Sequence, residues 1–102
     1  MPAKRAVLMH RHDNVATAVE EIRAGEEVVI PALGSMLTIR AAEAIPFGFK
    51  ISLQDIPKGD VIRKYGETIG TAGVDIVKGA MVHIHNLEGT RARGDLEGRA
   101  ER

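Results

Sequence analysis

The sequence predicts a mainly β domain with one short helix and tight hairpin corners. Between Glu27 and Leu87, short β-branched runs alternate with Gly and Pro, a pattern typical of strands joined by turns. Nine Val and ten Ile against 3% aromatic residues favour strands and a core of aliphatic side chains. At 102 residues, we expect a single compact domain.

The predicted strands follow one another at short intervals along the chain. They are residues 6–9, 28–30, 36–39, 49–53, 61–64, 68–71 and 81–85. A sub-repeat supports this division, because Asp55-Ile-Pro-Lys-Gly59 recurs twenty residues later as Asp75-Ile-Val-Lys-Gly79. A weaker third copy begins at Ile22. In each copy a glycine permits a turn with positive φ, so the repeat predicts recurring corners of the fold.

One segment has helical spacing. Four apolar residues recur at i, i+3, i+4 and i+7: Val15, Ala18, Val19 and Ile22. This periodicity predicts a helix over residues 14–24, with Asp13 or Asn14 as its N-cap and Gly25 as its stop. The predicted domain, with this helix included, spans residues 9–87.

The remaining C-terminal segment, residues 88–102, is rich in charge. It has four arginines, four acidic residues and a single large apolar residue, Leu96. Such a segment buries too little apolar surface to offset its ordering entropy, so we expect a mobile tail unless a partner holds it.

Charge and cysteine content exclude several classes of function. Fourteen basic residues balance fourteen acidic ones, so no global field favours nucleic acid or an anionic membrane surface. The absence of cysteine excludes disulfides, thiolate catalysis and Cys-based metal sites. No stretch has the length of a signal-peptide or transmembrane segment, and we expect a cytoplasmic protein.

Histidines form two pairs with i, i+2 spacing. On a strand, His83 and His85 would share one face, where they could hold a divalent metal, while Val82 and Ile84 would face the core. The alternative is that these imidazoles are only the solvent side of a half-buried strand. Two ligands make an incomplete site, so a metal centre complete within this chain is not expected.

The first pair, His10 and His12, lies in a polar junction with Arg11, Asp13 and Asn14. This junction could bind a hydroxy acid, or Asp13 and Asn14 could serve only as a helix cap. Motifs sufficient for catalysis, such as a phosphate loop, a nucleophile elbow or HExxH, are missing from the sequence.

The order of several motifs resembles a known family. The motifs are His10-x-x-Asp13-Asn14-Val15-Ala16, then Ile45-Pro46-x-Gly48-x-Lys50-Ile51-x-Leu53-x-Asp55-Ile56-x-Lys58-Gly59, then Lys64-Tyr65-Gly66-x-x-Ile69-Gly70, then Val82-His83-x-His85-Asn86 and Arg93-Gly94-Asp95. From about His10 to Asp95 the chain resembles the N-terminal SAF (β-clip) domain of altronate and galactarate dehydratases.

The resemblance implies the small subunit of a sugar-acid dehydratase, which is inactive alone and completed by a large catalytic subunit. It assigns catalysis to His10, and substrate binding to Asp13, Asn14, Lys50, His85 and Asn86. It also implies metal ligation by His83 and His85, with iron or manganese held mainly by the large subunit. The partners it implies are that subunit and a sugar acid, without nucleic acid or membrane.

One residue departs from the family pattern. The chain has Gly48-Phe49-Lys50 where the family typically has Gly-His-Lys, which implies an altered reaction or a less polar substrate. Two alternatives stay open: the small (alpha) subunit of an enzyme like sulfolactate sulfo-lyase, with sulfite as leaving group, and a stand-alone SAF ligand-binding or assembly module.

Overall fold

The computed structural model describes residues 3–32 and 34–89, and within them nine strands form two sheets. The mainly β prediction is confirmed. The strands are β1 (Lys4–Val7), β2 (Val15–Ala18), β3 (Glu27–Ala32), β4 (Ser35–Arg40), β5 (Lys50–Ser52), β6 (Val61–Lys64), β7 (Glu67–Ala72), β8 (Met81–Val82) and β9 (Leu87–Gly89).

The larger sheet has six strands in the order β4-β3-β1-β2-β5-β8, and the smaller has the order β6-β7-β9. Strands β1 and β3 pair in parallel, and the other neighbours pair antiparallel. The strands extend from Lys4 to Gly89, slightly beyond the predicted bounds of 9–87. Of the predicted tail, residues 90–102 lie outside the described residues.

The predicted helix over residues 14–24 is wrong. Strand β2 occupies its first turn and lies between β1 and β5. Val15 packs into one core while Ala16 and Ala18 pack into the other, so the segment is apolar on both faces. A strand buried on both faces gives a nearly continuous apolar run, and such a run also satisfies helical spacing. The described residues contain no helix suited by length and apolarity to cross a bilayer.

Four corners of the fold have the same type of turn. Each has an isoleucine in a β-bridge followed three residues later by a glycine with φ between +86° and +92°, the conformation that the third residue of a type II turn needs. The corners are Ile22–Gly25, Ile45–Gly48, Ile56–Gly59 and Ile76–Gly79. The sequence repeat revealed three of these corners, and the structure adds the one at Ile45.

The corners combine in two reciprocal pairs. The backbones of Ile56 and Ile76 exchange N–H···O bonds of 2.7 and 2.8 Å. Their side-chain caps are also exchanged: the Asp75 carboxylate accepts the Lys58 N–H at 2.8 Å, and the Asp55 carboxylate accepts the Lys78 N–H at 2.9 Å. Each copy of the repeat is therefore completed by the other copy.

Two aliphatic cores result from this arrangement. The first lies within the six-stranded sheet and its corners, around Ile30 and Ile51. The second joins the two sheets, because Val15 and Val82 from the larger sheet pack with Ile62 from the smaller one. All five side chains are fully buried, and each contributes about 1.5–3 kcal/mol to folding.

Replacement of Gly79 by Ala should destabilise the fold more than the same change at Gly59. Both glycines have φ near +90°, so each Ala carries a backbone penalty of roughly 1–2 kcal/mol. A Cβ at Gly79 would also overlap the Arg40 carbonyl oxygen, whereas a Cβ at Gly59 meets nothing within 4 Å. The overlap adds about 1–3 kcal/mol. Urea denaturation followed by circular dichroism measures both losses, and equal losses would contradict the packing at Gly79.

Candidate functional site

The loop between β1 and β2, residues 8–14, is tied to the tip of the β6–β7 hairpin by Asp13. Its carboxylate accepts the backbone N–H groups of Tyr65 at 2.9 Å and Gly66 at 2.8 Å, and Asp13 is buried. Both tip residues have positive φ, 59° and 75°, as a two-residue type I′ hairpin requires. Asp13 therefore supplies the acceptor that this strained tip needs.

Asn14 makes a second connection to the same hairpin. Its side-chain NH₂ donates to the Val61 carbonyl at 3.0 Å, and its Oδ1 accepts the Arg63 N–H at 2.8 Å. The expectation that Asp13 or Asn14 caps a helix is thus wrong, because the acceptors serve the hairpin instead. Substrate contact by either residue stays a prediction, and any such contact would have to coexist with these internal bonds.

His10 lies against the hairpin tip. A Cβ on Gly66 would approach the His10 Cδ2 to 2.9 Å, so the close contact depends on glycine. The His10 Nδ1 accepts the His12 N–H at 3.1 Å, and the two rings meet edge to face with centroids 5.2 Å apart. With Nδ1 as acceptor, a neutral His10 carries its proton on Nε2. The exposed imidazole is thereby arranged as a hydrogen-bond donor.

Lys50 lies on β5 directly between two cross-strand neighbours, Thr17 and Val82. Burial lowers the pKa of Lys50 below the ordinary lysine value, and repulsion from the Lys64 ammonium lowers the pKa further. The Thr17 hydroxyl is buried without a hydrogen-bond partner within residues 3–32 and 34–89. An anion bound beside Lys50 would stabilise its charged form.

Lys64 lies close to both Lys50 and His10. Its charge acts on Lys50, and it immediately precedes the hairpin tip that His10 contacts. Its ammonium also lies 5.1 Å from the centroid of the Tyr65 ring. Sequence analysis did not assign Lys64 to the site. A usable signal was present, since Tyr65-Gly66 between two β-branched runs is typical of a two-residue hairpin, which fixes the position of the preceding residue.

The segment after β8 is a turn, so the predicted strand 81–85 is too long. The Asn86 side chain closes this turn by accepting the His83 N–H at 2.9 Å and donating to the Met81 carbonyl at 2.8 Å. His83 and His85 consequently do not share a strand face. Ile84, which was expected in the core, is 82% exposed.

The structure brings His10, Asp13 and Lys50 towards one hairpin but places the second histidine pair elsewhere. Strands β1 and β8 are three interstrand spacings apart, roughly 14 Å. The His83 ring packs on Phe49 with centroids 4.4 Å apart. Phe49 contacts the first core whereas Val82, the neighbour of Lys50, belongs to the second, so His83 and Lys50 face opposite sides of the sheet.

The donor set for a metal is incomplete in this part of the chain. Among the described residues, no three His, Asp or Glu side chains group together as ligands. His83 is half-buried against Phe49 and His85 is exposed. Ligation by His83 and His85 stays a prediction, and the residues present do not fit a metal centre without donors from outside.

Comparison with known proteins decides the family. A family model described as the altronate/galactarate dehydratase SAF domain matches residues 4–90. The chain belongs to this SAF domain family. The match covers every strand of both sheets, so the family extends over the fold and over the candidate site together.

Relatives of this SAF domain include enzymes of two kinds. It is 40% identical to the altronate dehydratase of Bacillus subtilis over 83% of the chain, and 38% identical to that of Escherichia coli over 78%. It spans only 16% and 15% of their lengths. It is also 29% identical to the (2R)-sulfolactate sulfo-lyase subunit alpha of Chromohalobacter salexigens, over 72% of the chain and 80% of that subunit. These relatives place the SAF domain in a lyase family.

Replacement of Asp13 by Ala should destabilise the SAF domain strongly. The change removes two charge-assisted hydrogen bonds, each contributing about 1.5–3 kcal/mol, and leaves the tip N–H groups without their acceptor. His10→Ala is the matched control, because His10 is exposed and its loss should change stability by less than about 0.5 kcal/mol. Chemical denaturation compares the two, and a stable Asp13→Ala variant would refute the structural role of the carboxylate.

Proposed function

We propose that this chain is the small subunit of a sugar-acid dehydratase of the altronate or galactarate type. In this role it supplies one wall of a substrate pocket that a large catalytic subunit completes. The observation that carries the proposal is the 40% identity to an altronate dehydratase over 83% of the chain. The basic edge around His10, Lys50 and Lys64 supports it, because an acid substrate needs a cationic surface.

The reaction requires more groups than this edge contains. Removal of water from a hydroxy acid takes a proton from the carbon next to the carboxylate and expels hydroxide from the following carbon. The step needs a base for the proton, stabilisation of the developing enolate and an acid for the leaving hydroxide. In this proposal the large subunit supplies the base, the acid and any iron or manganese, while this chain binds the carboxylate and donates a hydrogen bond to the leaving group.

His10 is a hydrogen-bond donor in this scheme. Because its Nδ1 accepts the His12 N–H, its proton lies on Nε2, from which it donates a hydrogen bond to the departing hydroxyl oxygen. The large subunit supplies the proton that the hydroxide takes up as the C–O bond breaks, and water leaves. His12 fixes the tautomer and therefore acts as a positioning residue.

The large subunit in this proposal covers an apolar corner formed by Phe47 and Ile84. Phe47 lies just before β5 and Ile84 just after β8, so antiparallel pairing brings their turns to the same end of the sheet. Phe47 is 69% exposed and Ile84 is 82% exposed. Exposed large apolar side chains of this kind are typical of protein interfaces.

A second candidate is the small subunit of a sulfo-lyase that expels sulfite. It is supported by the match over 80% of the length of a sulfolactate sulfo-lyase alpha subunit. Mixing the two chains with each class of acid separates the candidates, since one releases a keto acid with water and the other releases sulfite.

Replacement of His10 by Ala should lower turnover of the mixed chains roughly 10²–10³-fold, the usual contribution of one hydrogen-bond donor to a developing negative charge. The assay follows keto-acid formation after addition of a large dehydratase chain from the same source. Lys58→Ala is the control, because this exposed side chain lies on the turn of the Ile56 corner and has no role in the proposed pocket, so turnover should stay near the wild-type value. Unchanged turnover in His10→Ala would remove His10 from the pocket.

Replacement of Phe47 and Ile84 by Asp should weaken association with the large chain at least tenfold, because the two changes place charge in an apolar contact. Val77→Asp is the control. Val77 is also exposed, at 57%, but precedes β8 rather than following it. Isothermal titration calorimetry measures the affinities, and undiminished binding by the double variant would place the interface elsewhere.

A further inference from the structure

Two lysines face each other across the layer between the sheets. Lys64 lies two residues after Ile62 on β6, and Ile62 is buried in the second core. The pairing with β7 shifts register between Ile62 and Arg63, but Arg63 is exposed and Lys64 is half-buried, so alternation continues and Lys64 lies on the same side as Ile62, towards the larger sheet. From that sheet Lys50 shares its face with Val82, a member of the same core. The two side chains thus approach each other from separate sheets, near enough for the Lys64 charge to lower the pKa of Lys50.

The convergence is unfavourable for the protein by itself. Both side chains are half-buried, and the Lys64 charge acts on Lys50. Neither ammonium forms an ion pair or a hydrogen bond with any described residue. Glu67 pairs with Lys64 across the hairpin without forming an ion pair, and the nearby Asp13 carboxylate is occupied by backbone N–H groups. Like charges held together without a counter-ion are typical of a ligand site.

The surroundings also contain unused hydrogen-bonding capacity. The Thr17 hydroxyl lies directly across from Lys50 and is buried without a partner in the described part of the chain. A buried hydroxyl without a hydrogen bond is unfavourable. Among the described residues, the surroundings of the two lysines therefore contain a polar group without a partner but no acidic side chain paired with either ammonium.

We propose that Lys50 and Lys64 together bind one oxyanion group, a carboxylate or sulfonate, of the acid on which the complex acts. The inference rests on the proposed function and adds Lys64 as a second anchor. One oxyanion has several oxygens, so each ammonium can bind a separate oxygen of the same group. The bound anion cancels the repulsion between the lysines and fixes the substrate beside His10, which contacts the same hairpin.

The experiment measures the Lys50 pKa directly in the full 102-residue chain. Lysine labelled with ¹³C at Cε reports the titration of each ammonium by NMR. Galactarate and sulfolactate should each raise the Lys50 pKa by roughly one unit, as an opposite charge does. Galactitol, which has hydroxyls but no carboxylate, should leave it unchanged. A shift with sulfolactate alone identifies the bound group as the sulfonate, because both acids contain a carboxylate.

Two substitutions make this titration specific. Lys64→Met should raise the Lys50 pKa in the free chain, because the repulsion is removed, and should weaken galactarate binding at least fivefold. Lys58→Met removes the same charge from an exposed turn and should change neither quantity. A Lys50 pKa that ignores Lys64→Met, or that responds equally to galactitol and both acids, would overturn the two-lysine site.

Activity separates this inference from the proposed function. If the mixed chains eliminate water while Lys50→Met and Lys64→Met leave KM unchanged, the dehydratase proposal stands and the anion site is wrong. If the acids raise the Lys50 pKa but no mixture of chains performs an elimination, the anion site stands and the proposed function fails.

Discussion

Two buried polar side chains, Asp13 and Asn14, hold the small sheet against the large one. Between them they form four hydrogen bonds to the backbone of the β6–β7 hairpin. The apolar contact between the sheets is non-directional and would allow one sheet to slide over the other. Hydrogen bonds to specific N–H groups fix the position of the small sheet relative to the large one. The position of Lys64 relative to Lys50, and of the hairpin tip relative to His10, depends on this polar connection.

The same connection explains why the site is basic. The Asp13 carboxylate at the hairpin tip has both oxygens engaged by backbone donors and is poorly placed to neutralise the lysines. Because the lysines are not neutralised, this edge is cationic although the formal net charge of the chain is zero. Its charges are arranged locally by the fold, so overall composition conveys nothing about the chemistry of this edge.

Sequence patterns predicted the strands well and the side-chain roles less well. The glycine repeat at Gly59 and Gly79 predicted corners that the structure contains, because positive φ is a local requirement that few other residues meet. The helix over 14–24 failed, because the partners that bury both faces of β2 come from distant segments.

The histidine pair shows a related limit of sequence reasoning. His83 and His85 were interpreted from strand alternation, but the Asn86 side chain ends the strand before alternation applies. The Tyr65-Gly66 hairpin could have placed Lys64 beside the tip, but its relation to Lys50 arises only when β6 packs against the larger sheet at β2. Contacts between distant segments leave little trace in local spacing.

The exchanged caps of the Ile56 and Ile76 corners bear on how the chain acquires its structure. Asp55 completes the second corner and Asp75 the first, so neither corner has its full set of bonds until a loop of about twenty residues has closed. Closing such a loop is entropically unfavourable before the bonds form. The two corners should therefore form together in one cooperative event. An intermediate with only one corner formed lacks the exchanged hydrogen bonds and is little stabilised by that corner.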